Sequence, residues 1–475
     1  MPDNAYHQVP YLTVPMAHTH PDRLASVATL FGMAPAPIAA CRVLEVGCGN
    51  GGNLIPMACS LPGSRFTGID LAEAAVAEGR LAIDELGLRN LELIAMDLRD
   101  IGPAMGEFDY IIVHGVYSWI PDDLRDPLLA VCRERLAPQG VALISYNALP
   151  GRYVKTMLRD MMMYHTRNCS DAGERIERAR SLVRMLGEAH LVSKAWQPMV
   201  DEEVRQALSG NDGWFFHDDL SPVNDSFYIR DFAARAARHS LQYLGDAQPP
   251  HLMIDSGNSL DWVGGDVIER EQYFDFMCLR PFRLTLLCAD EVKLERPAGP
   301  ERMDRFLFSS PARQSKGQIE GLNAVTMTEA PDAVARVAAA MGAVYPRPVA
   351  FDKLLEVAAN REALRGILFT LISSGFAAFH TYGSSPVESA SPRLRATRLA
   401  RWESARTGTV TYCNHTANKM EGIVRALIEL LDGTRDFDEL ASGLARVQGA
   451  PPLEEIRARL PQVLAHMAHA GLLED

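Results

Sequence analysis

The sequence predicts an α/β fold in which helices cover a mostly parallel sheet, and three observations predict it. Over roughly the first 150 residues, short apolar segments alternate with segments of helical character. A glycine-rich turn follows the first apolar segment, and acidic residues lie at the ends of the first three. This alternation is typical of β-α-β units. Ligands of such sheets bind beyond the carboxyl ends of the strands, so we expect the functional site at that edge.

Each predicted strand is a short apolar run. The five runs are RVLEVG (42–47), RFTGID (65–70), LELIAMD (91–97), FDYIIVHG (108–115) and GVALISYN (140–147). Helices are predicted between them, and Gly87 provides a stop signal for the second one. The helix before the fifth strand begins with acidic residues and is expected to end before Pro138.

The turn after the first strand fits two different ligands. Gly47, Gly49 and Gly52 have the G-x-G-x-x-G spacing of a dinucleotide-binding turn. Gly47, Gly49 and Gly51, with Glu45 two residues upstream, fit a loop that holds S-adenosylmethionine. The glycines alone do not decide between the two cofactors.

The acidic residues at three successive strand ends favour the cationic cofactor. Asp70 is placed to accept hydrogen bonds from ribose hydroxyls, which either cofactor offers. Asp97, beside Met96 and Leu98, is placed to accept a hydrogen bond from an adenine amino group. Glu45 would repel a pyrophosphate, whereas a carboxylate attracts a sulfonium or the charged tail of methionine.

Four motifs in order resemble the class I S-adenosylmethionine-dependent methyltransferases. They are VLEVGCGNG, GID, MDL and FDYIIVHG. The resemblance implies a Rossmann-like, seven-stranded domain with S-adenosylmethionine as cofactor and no metal. The predicted cofactor-binding residues are Tyr11, His20, Glu45, Gly47, Cys48, Gly49, Asn50, Gly51, Asn53, Asp70, Leu71, Met96, Asp97, Leu98 and His114. The role of Asn53 has an alternative, since a residue at the start of a helix can simply be a cap.

A more particular resemblance covers most of the chain. The segments YHQVPYLTVPMAHTHPDRLASVATLFG, HGVYSWIP (114–121) and WFFHDDLSPVNDSFYIRDF (214–232) resemble bacterial methyltransferases with a methyltransferase regulatory region. This group includes lysine methyltransferases that act on outer-membrane proteins. The resemblance implies a cofactor domain with a dimerisation insert, followed by middle and C-terminal domains. It also implies that the N-terminal segment folds over the cofactor, with Tyr11 and His20 nearest to it.

The loop after the fourth strand carries the predicted catalytic residues, His114, Tyr117 and Trp119. Methyl transfer is an in-line displacement, so the enzyme must align a nucleophile and exclude water. An aromatic face stabilises a methylated cation by about 0.5–2 kcal/mol. A lysine nucleophile must be neutral, and either His114 or Tyr117 could accept its proton, or burial could lower its pKa without a base. The alternative for Tyr117 and Trp119 is packing in the core.

The predicted domain boundaries interrupt the methyltransferase core. Residues 1–149 form its first part, 150–222 a helical insert for dimerisation or substrate contact, and 223–290 the remainder. Residues 291–385 and 386–475 are expected to form two small winged-helix-like α+β modules, because FDKLLEVA and FDELASGLA open similar helix–helix–strand patterns. Methionines at 157 and 161–163 mark the insert as a possible contact surface, with ordinary helix packing as the alternative.

The composition narrows the partners. A formal net charge of −13 disfavours a nucleic-acid backbone. The eight cysteines are scattered without a C-x-x-C pair, and no apolar run is long enough to span a bilayer, so we expect a soluble, cytoplasmic protein without a membrane partner. The leading hypothesis is a lysine methyltransferase acting on proteins, with the insert as the surface for a homodimer. A small-molecule or natural-product methyltransferase with the C-terminal modules as a lid, and a non-catalytic cofactor-binding scaffold, are the alternatives.

Overall fold

A central sheet organises the chain. The computed structural model describes residues 9, 11, 13–189, 193–248, 266–315, 317–358, 360–383 and 393–474. The sheet contains β1 (Arg42–Val46), β2 (Arg65–Asp70), β3 (Leu91–Ala95), β4 (Phe108–Val113), β5 (Leu136–Ala148), β6 (Ser226–Phe227), β7 (Leu241–Asp246) and β8 (Phe282–Ala289). Seven strands follow the order β3-β2-β1-β4-β5-β8-β7, and the short β6 pairs with β5. Strands β1 to β5 pair in parallel, while β8 is antiparallel to both neighbours.

This topology confirms the predicted Rossmann-like class I fold, and it refines the predicted boundaries. The helix expected to end before Pro138 ends at Arg135, and β5 begins at once with Leu136. β3 ends at Ala95, so Met96 and Asp97 follow the strand.

The helices of the first 290 residues cover the sheet and form the insert. They are α1 (Pro21–Leu30), α2 (Leu54–Ser60), α3 (Glu73–Leu86), α4 (Asp122–Arg135), α5 (Tyr153–His165), α6 (Ala172–Ala189), α7 (Gln197–Ser209), α8 (Asp212–Trp214), α9 (Ile229–Ala237) and α10 (Val267–Cys278). Gly87 ends α3 in the left-handed conformation, as predicted. A π-helical turn over Phe215–Asp219 follows α8. Single 3-10 turns lie at Ala17–Thr19, Ile38–Ala40, Leu98–Asp100 and Pro103–Met105.

The C-terminal part consists of helices with small antiparallel sheets. Its helices are α11 (Asp332–Gly342), α12 (Phe351–Ala358), α13 (Arg361–Ser373), α14 (Arg398–Arg406), α15 (Gly422–Leu430), α16 (Phe437–Leu444) and α17 (Leu453–His469), with 3-10 turns at Pro300–Arg305 and Leu322–Ala324. Its strands are β9 (Leu307–Ser309), β10 (Arg313–Ser315), β11 (Gln318–Glu320), β12 (Thr326–Thr328), β13 (Val349–Ala350), β14 (Ala378–His380), β15 (Arg395–Ala396), β16 (Thr409–Thr411), β17 (Ala417–Lys419) and β18 (Leu473–Glu474). The two predicted helix–helix–strand patterns correspond to α12-α13-β14 and α16-α17-β18. The winged-helix assignment itself stays a prediction.

Four buried clusters hold these parts together. Alternate residues of the strands face opposite sides, so Val43 and Leu44 enter different cores. The core containing Val43 continues into the middle region through Phe308 and Phe379. The insert and the last 80 or so residues each have a core of their own. Within the described ranges, no helix combines the length and the apolar character that a membrane span requires.

Candidate functional site

The turn between β1 and α2 is shaped by its glycines. Gly47, Gly49 and Gly51 have φ values of 81°, 55° and 76°, in the left-handed region that side chains disfavour. A Cβ atom on Gly52 would lie 2.3 Å from the backbone oxygen of Thr13. The loop therefore requires glycine both for its backbone conformation and for the close approach of the N-terminal segment.

Thr13, in the N-terminal segment, holds this loop with two hydrogen bonds. Its hydroxyl donates to Oδ1 of Asn50 and accepts from the amide of Gly52 at 3.0 Å. Cys48 is buried beneath the loop, its amide donates to Ile69 at 3.0 Å, and burial raises the pKa of its thiol. The thiol is therefore protonated and contributes packing rather than reactivity.

Asp70 holds the glycine loop at the end of β2. Its Oδ2 accepts from the amide of Gly49 and its Oδ1 from the amide of Ala72, both at 2.8 Å. Each carboxylate oxygen keeps acceptor capacity beyond one bond, so the group can also bind hydroxyls. The next side chain, Leu71, is 62% exposed beside it.

Asp97 follows β3 and is bound by a neighbouring arginine. Arg99 donates to Asp97 from its amide at 2.9 Å and from Nε and Nη2 at 2.9 and 2.7 Å. These bonds lower the pKa of the Asp97 carboxyl, which is thus ionised. Met96 is half-buried and Leu98 buried on either side of it. No local pattern indicated that an arginine would share this carboxylate.

Glu45 is the buried acid at the end of β1. It is 5% exposed, and its Oε1 accepts a 2.8 Å hydrogen bond from Nδ2 of Asn53. Its Oε2 is buried without a hydrogen-bond partner among the described residues. Burial raises the pKa of this carboxyl to about 8, although the bond from Asn53 opposes the change. A buried acid without a compensating cation is costly, and such groups concentrate at functional sites.

Asn53 is engaged by protein groups on both sides of its amide. Its Oδ1 accepts from the amide of Met16, the hydroxyl of Thr19 and Nε2 of His415, at 3.2, 3.1 and 2.8 Å. Its Nδ2 donates to Glu45. The expected bond from Asn53 to the cofactor stays a prediction, since these partners already engage both amide atoms.

His114 lies directly after β4 and packs against a second histidine. The ring centroids of His114 and His18 are 4.9 Å apart, and Phe282 lies 6.0 Å from His114. Burial lowers the pKa of His114 to about 3 and that of His18 to about 4, so both rings are neutral. Three buried atoms here, Nδ1 of His114, Nε2 of His18 and Nε1 of Trp119, have no hydrogen-bond partner within the part of the chain that the structure describes.

Tyr117, for which a catalytic role is predicted with core packing as the alternative, is a buried residue. Its ring is 0% exposed and packs edge-on against Phe227 and Phe232, both at 5.1 Å. Burial raises the pKa of its hydroxyl to about 12, which makes it a poor proton acceptor. The loop turns towards the core at this residue. The next side chain, Ser118, accepts a 2.9 Å hydrogen bond from the buried amide of Asn147. This burial favours the core-packing alternative, and the catalytic role of Tyr117 stays a prediction.

The N-terminal segment reaches the site as expected, with different contacts for its two named residues. Nδ1 of His20 accepts from the amide of Asp22 at 3.2 Å and so caps α1, while its ring lies 5.2 Å from that of His415. Tyr11 packs edge-on to His217 at 5.8 Å and donates a hydrogen bond to Asp218.

Several residues at this edge were missed by the sequence analysis. They are Thr13, His18, Asp22, Asp218, His380 and His415. The His-Thr-His-Pro-Asp segment at 18–22 was a usable signal, since His20 was expected to lie near the cofactor, but no such role was predicted for His18 or Asp22. The described residues contain no group of metal-ligating side chains that could hold an ion. His380 and His415 carry no local signal, because the fold alone brings them to residue 22 and residue 53.

The arrangement fits S-adenosylmethionine. Glu45 presents a buried oxygen that a cationic group can satisfy and a pyrophosphate cannot. Asp70 and Asp97 supply acceptors for hydroxyl and amino groups, and the exposed Leu71 can cover an adenine ring. The neutral rings of His114 and His18 do not repel a sulfonium.

Comparisons with known proteins also indicate a methyltransferase. The chain matches a methyltransferase domain family over residues 43–140 and a family described as a predicted methyltransferase regulatory domain over residues 211–289. Uncharacterized protein RP789 of Rickettsia prowazekii is 36% identical over 310 residues, 64% of this chain and 56% of that protein's length. Uncharacterized protein RP028 of the same organism is 31% identical over 241 residues, which is 50% of this chain and 96% of that protein.

A solved structure covers nearly the whole chain. PKMT2 from Rickettsia typhi, solved also in complex with AdoHcy, superposes with a TM-score of 0.84 over 98% of this chain and 100% of that one. Its sequence is 23% identical, so this likeness shows the fold. Fold and site together define a class I methyltransferase. More particularly, the chain belongs to the S-adenosylmethionine-dependent methyltransferases that carry a methyltransferase regulatory domain.

Proposed function

We propose that this enzyme methylates the side-chain amine of lysine in a protein. The sequence resemblance to lysine methyltransferases that act on outer-membrane proteins supports this acceptor. The observation that carries the proposal is a pair of acidic residues, Asp218 and Asp219, beside the carboxyl edge of the sheet. Asp218 offers a carboxyl group that titrates near neutral pH, which suits an amine that must lose a proton, whereas an acceptor without such a proton gains nothing from it.

The acid pair lies on the π-helical turn that ends the insert. Asp219 is 6% exposed, and its Oδ1 lies 3.0 Å from Nζ of Lys155. Burial and the charge of Asp219 raise the pKa of Asp218 to about 7, against the opposing influence of Lys155, Arg152 and Tyr11. A carboxyl group that titrates near neutral pH can take a proton from an ammonium group and release it to water.

Amide contacts join the acid pair to the end of β5. Nδ2 of Asn224 donates to the backbone oxygen of Asp218, and Oδ1 of Asn224 accepts from Nδ2 of Asn147 at 2.8 Å. Asn147 is fully buried near the end of β5, and its Oδ1 has no hydrogen-bond partner in the described ranges. The acid pair is therefore anchored at the edge to which the neighbouring strand β4 brings His114.

His114 and Asp218 have different roles in methyl transfer. S-adenosylmethionine supplies the methyl group, which the nitrogen lone pair attacks as the carbon–sulfur bond breaks. Lysine must first lose a proton, because only its neutral amine has that lone pair. His114 cannot hold the proton, since its pKa is about 3, and instead orients the amine as a neutral hydrogen-bond acceptor. Asp218, with a pKa of about 7, is the better proton acceptor.

Labelled cofactor and a cell lysate test the acceptor. We expect label in protein bands and, by mass spectrometry, on lysine nitrogen. The D218N variant should transfer label at least about tenfold more slowly, as expected for loss of a proton acceptor, with unchanged cofactor affinity. D84N, at an exposed acid on α3, is the matched control and should behave as the wild type. Label on lysine with D218N as active as the wild type would contradict the role of the acid pair.

A small-molecule acceptor is the second candidate, and the enclosure of the site favours it. Residues from the C-terminal part, His415 and His380, reach Asn53 and Asp22. Such a cover suits an acceptor that is fully enclosed. Label found only in the small-molecule fraction of the same lysate would establish this candidate and exclude the first.

We further propose a homodimer formed through α5. Tyr153, Met157, Met161 and Tyr164 recur on one face of this helix and are all exposed. Exposed apolar faces of this kind mark interaction sites, and methionine adapts to a partner surface. Light scattering after gel filtration should report a dimer that the M161K variant disrupts, whereas M185K, at an exposed methionine on α6, leaves it intact. A monomeric wild type would exclude the proposal.

A further inference from the structure

His415 is a residue through which the C-terminal region contacts the cofactor site. His415 lies in the turn between β16 and β17 and is 4% exposed. Its φ of 57° is in the left-handed region, which is uncommon and costly for a residue with a side chain. Its amide donates to the backbone oxygen of Tyr412 at 2.8 Å, which closes the turn. Strained backbone of this kind concentrates at functional sites.

The hairpin that carries His415 is fixed to the rest of the C-terminal region. The amide of Cys413 donates to the backbone oxygen of Ala470 at 2.8 Å, just beyond α17. Glu403 of α14 accepts from the amide and the hydroxyl of Thr411, at 2.7 and 2.6 Å. The position of the His415 ring is therefore set by the C-terminal region as a whole.

The contact between His415 and Asn53 has a defined direction. Nε2 of His415 lies 2.8 Å from Oδ1 of Asn53, and because a carbonyl oxygen only accepts, Nε2 carries the hydrogen. Burial lowers the pKa of His415 well below its ordinary range, so the ring is neutral. Met16 and Thr19 donate to the same oxygen. These donors fix the amide with its NH2 group towards Glu45.

The orientation of this amide determines the state of Glu45. Nδ2 of Asn53 is the donor that the described residues provide to this carboxyl, at 2.8 Å from Oε1. With Oε1 held, Oε2 is the oxygen left for a cationic ligand. A rotated amide would place Oδ1 against the carboxylate, where two acceptors repel each other.

We propose that His415 is a positioning residue of the S-adenosylmethionine site, which acts by holding Asn53 so that Asn53 holds Glu45. The C-terminal region is thereby a component of the cofactor site, 362 residues along the chain from the amide that it orients. The role is the same for a protein acceptor and for a small molecule.

Gln and Met at position 415 separate the hydrogen bond from the packing. The two side chains are nearly isosteric and must adopt the same backbone, but only Gln can donate to Asn53. In the full chain, titration calorimetry with S-adenosylmethionine should give H415Q an affinity within about threefold of the wild type and weaken H415M about tenfold or more, the scale of one lost hydrogen bond. H466M, at an exposed histidine on α17, is the control and should bind as the wild type.

The pH dependence of binding gives a second readout. In H415M, Glu45 loses a stabilising bond to its ionised form, so the midpoint of the dependence should move to higher pH, whereas H415Q keeps it. Equal affinities of H415Q and H415M, whether both strong or both weak, would overturn the proposal. If H415M does not fold, H415A replaces it, with its affinity taken from the rise of the unfolding temperature with cofactor concentration.

Discussion

Two buried polar clusters lie along the same edge of the central sheet and differ in the partners of their acidic residues. The arginine cluster, Asp246, Glu271, Asp275, Arg280 and Arg283, lies where β7 ends and β8 begins. Each of its acids lies within 3.5 Å of an arginine nitrogen, and Arg283 is 0% exposed. This cluster supplies its own countercharges.

The second cluster has no countercharge of its own. We call it the histidine cluster, and it consists of His18, His20, His114 and His415 around Glu45 and Asn53. In the part of the chain that the structure describes, no ion pair involves Glu45, and the surrounding histidines are neutral because burial lowers their pKa values. The difference teaches how to separate a structural polar cluster from a binding one. A self-compensated cluster stabilises the fold, whereas a buried acid facing neutral donors and acceptors is arranged for a cation from outside.

The largest effect is expected in the arginine cluster. R283M leaves Glu271 without its arginine and leaves Arg280 alone to pair with Asp246 and Asp275, so the free energy of unfolding should fall by about 3–5 kcal/mol. Urea denaturation followed by tryptophan fluorescence measures it. R313M removes an exposed partner of Glu320 and should leave stability nearly unchanged. A loss below about 1 kcal/mol in R283M would show that the cluster does not depend on its own charges.

The next effect concerns the histidine cluster and has the opposite character. E45Q removes a carboxyl whose burial is costly, so the protein should be no less stable than the wild type. Its affinity for S-adenosylmethionine should fall at least about tenfold, because a charge-assisted hydrogen bond of about 1.5–3 kcal/mol is lost. Titration calorimetry measures the affinity, and E92Q, at an exposed acid on β3, is the control. Undiminished binding by E45Q would remove Glu45 from the site.

The pH dependence of binding follows from the same carboxyl. The pKa of Glu45 is raised to about 8, so the group is mostly protonated at neutral pH and ionises when a cation binds. Binding then releases a proton, and affinity should rise about fivefold between about pH 7 and pH 8 and level off above. The same shift means that this group's contribution to stability decreases as pH rises from its ordinary pKa to about 8. E45Q should lack this part of the dependence, and an identical profile in E45Q would assign it elsewhere.

The smallest effect is expected at Asp97, which is partly open to water. D97N keeps an acceptor oxygen and removes the charge that Arg99 pairs with. We expect cofactor affinity to fall less than tenfold and stability to be unchanged, since exposed ion pairs contribute little. R99A should have a still smaller effect on affinity. A loss at D97N as large as that at E45Q would mean that Asp97 is a principal anchor of the cofactor.

The sheet and the glycine loop were predictable because their signals are local. Strand runs, glycines and the acids at strand ends lie within a few residues of one another, so Glu45, Asp70 and Asp97 could be placed on one edge. The aromatic loop after β4 was harder. Its composition indicated a functional surface, but which rings turn inward depends on the packing of Phe227 and Phe232 around Tyr117.

The partners of the site residues could not be predicted at all. The cofactor role expected for Asn53 stays a prediction, and the bridge that its amide forms between Glu45 and His415 was not foreseen, because that bridge depends on how the C-terminal region docks. Asp97 was predicted to accept a hydrogen bond from an adenine amino group, and nothing in the sequence indicated that Arg99 would pair with it through a 3-10 turn. Docking and local turns of this kind leave no periodic pattern in the sequence.

Asp22, at the start of α1, sets a limit on how this enzyme can be shortened. Its carboxylate accepts from the ring of His380 and from the amides of Thr381 and Tyr382, each at 2.8 Å. A fragment that stops after β8 would expose the side of the Val43-containing core that packs against the middle region. The carboxylate of Asp22 would also lose these donors. The smallest unit that folds therefore extends past the sheet at least to Tyr382, and the proposed role of His415 extends the catalytic unit further, into the C-terminal region. Attempts to express the Rossmann-like part alone should give insoluble or unfolded protein.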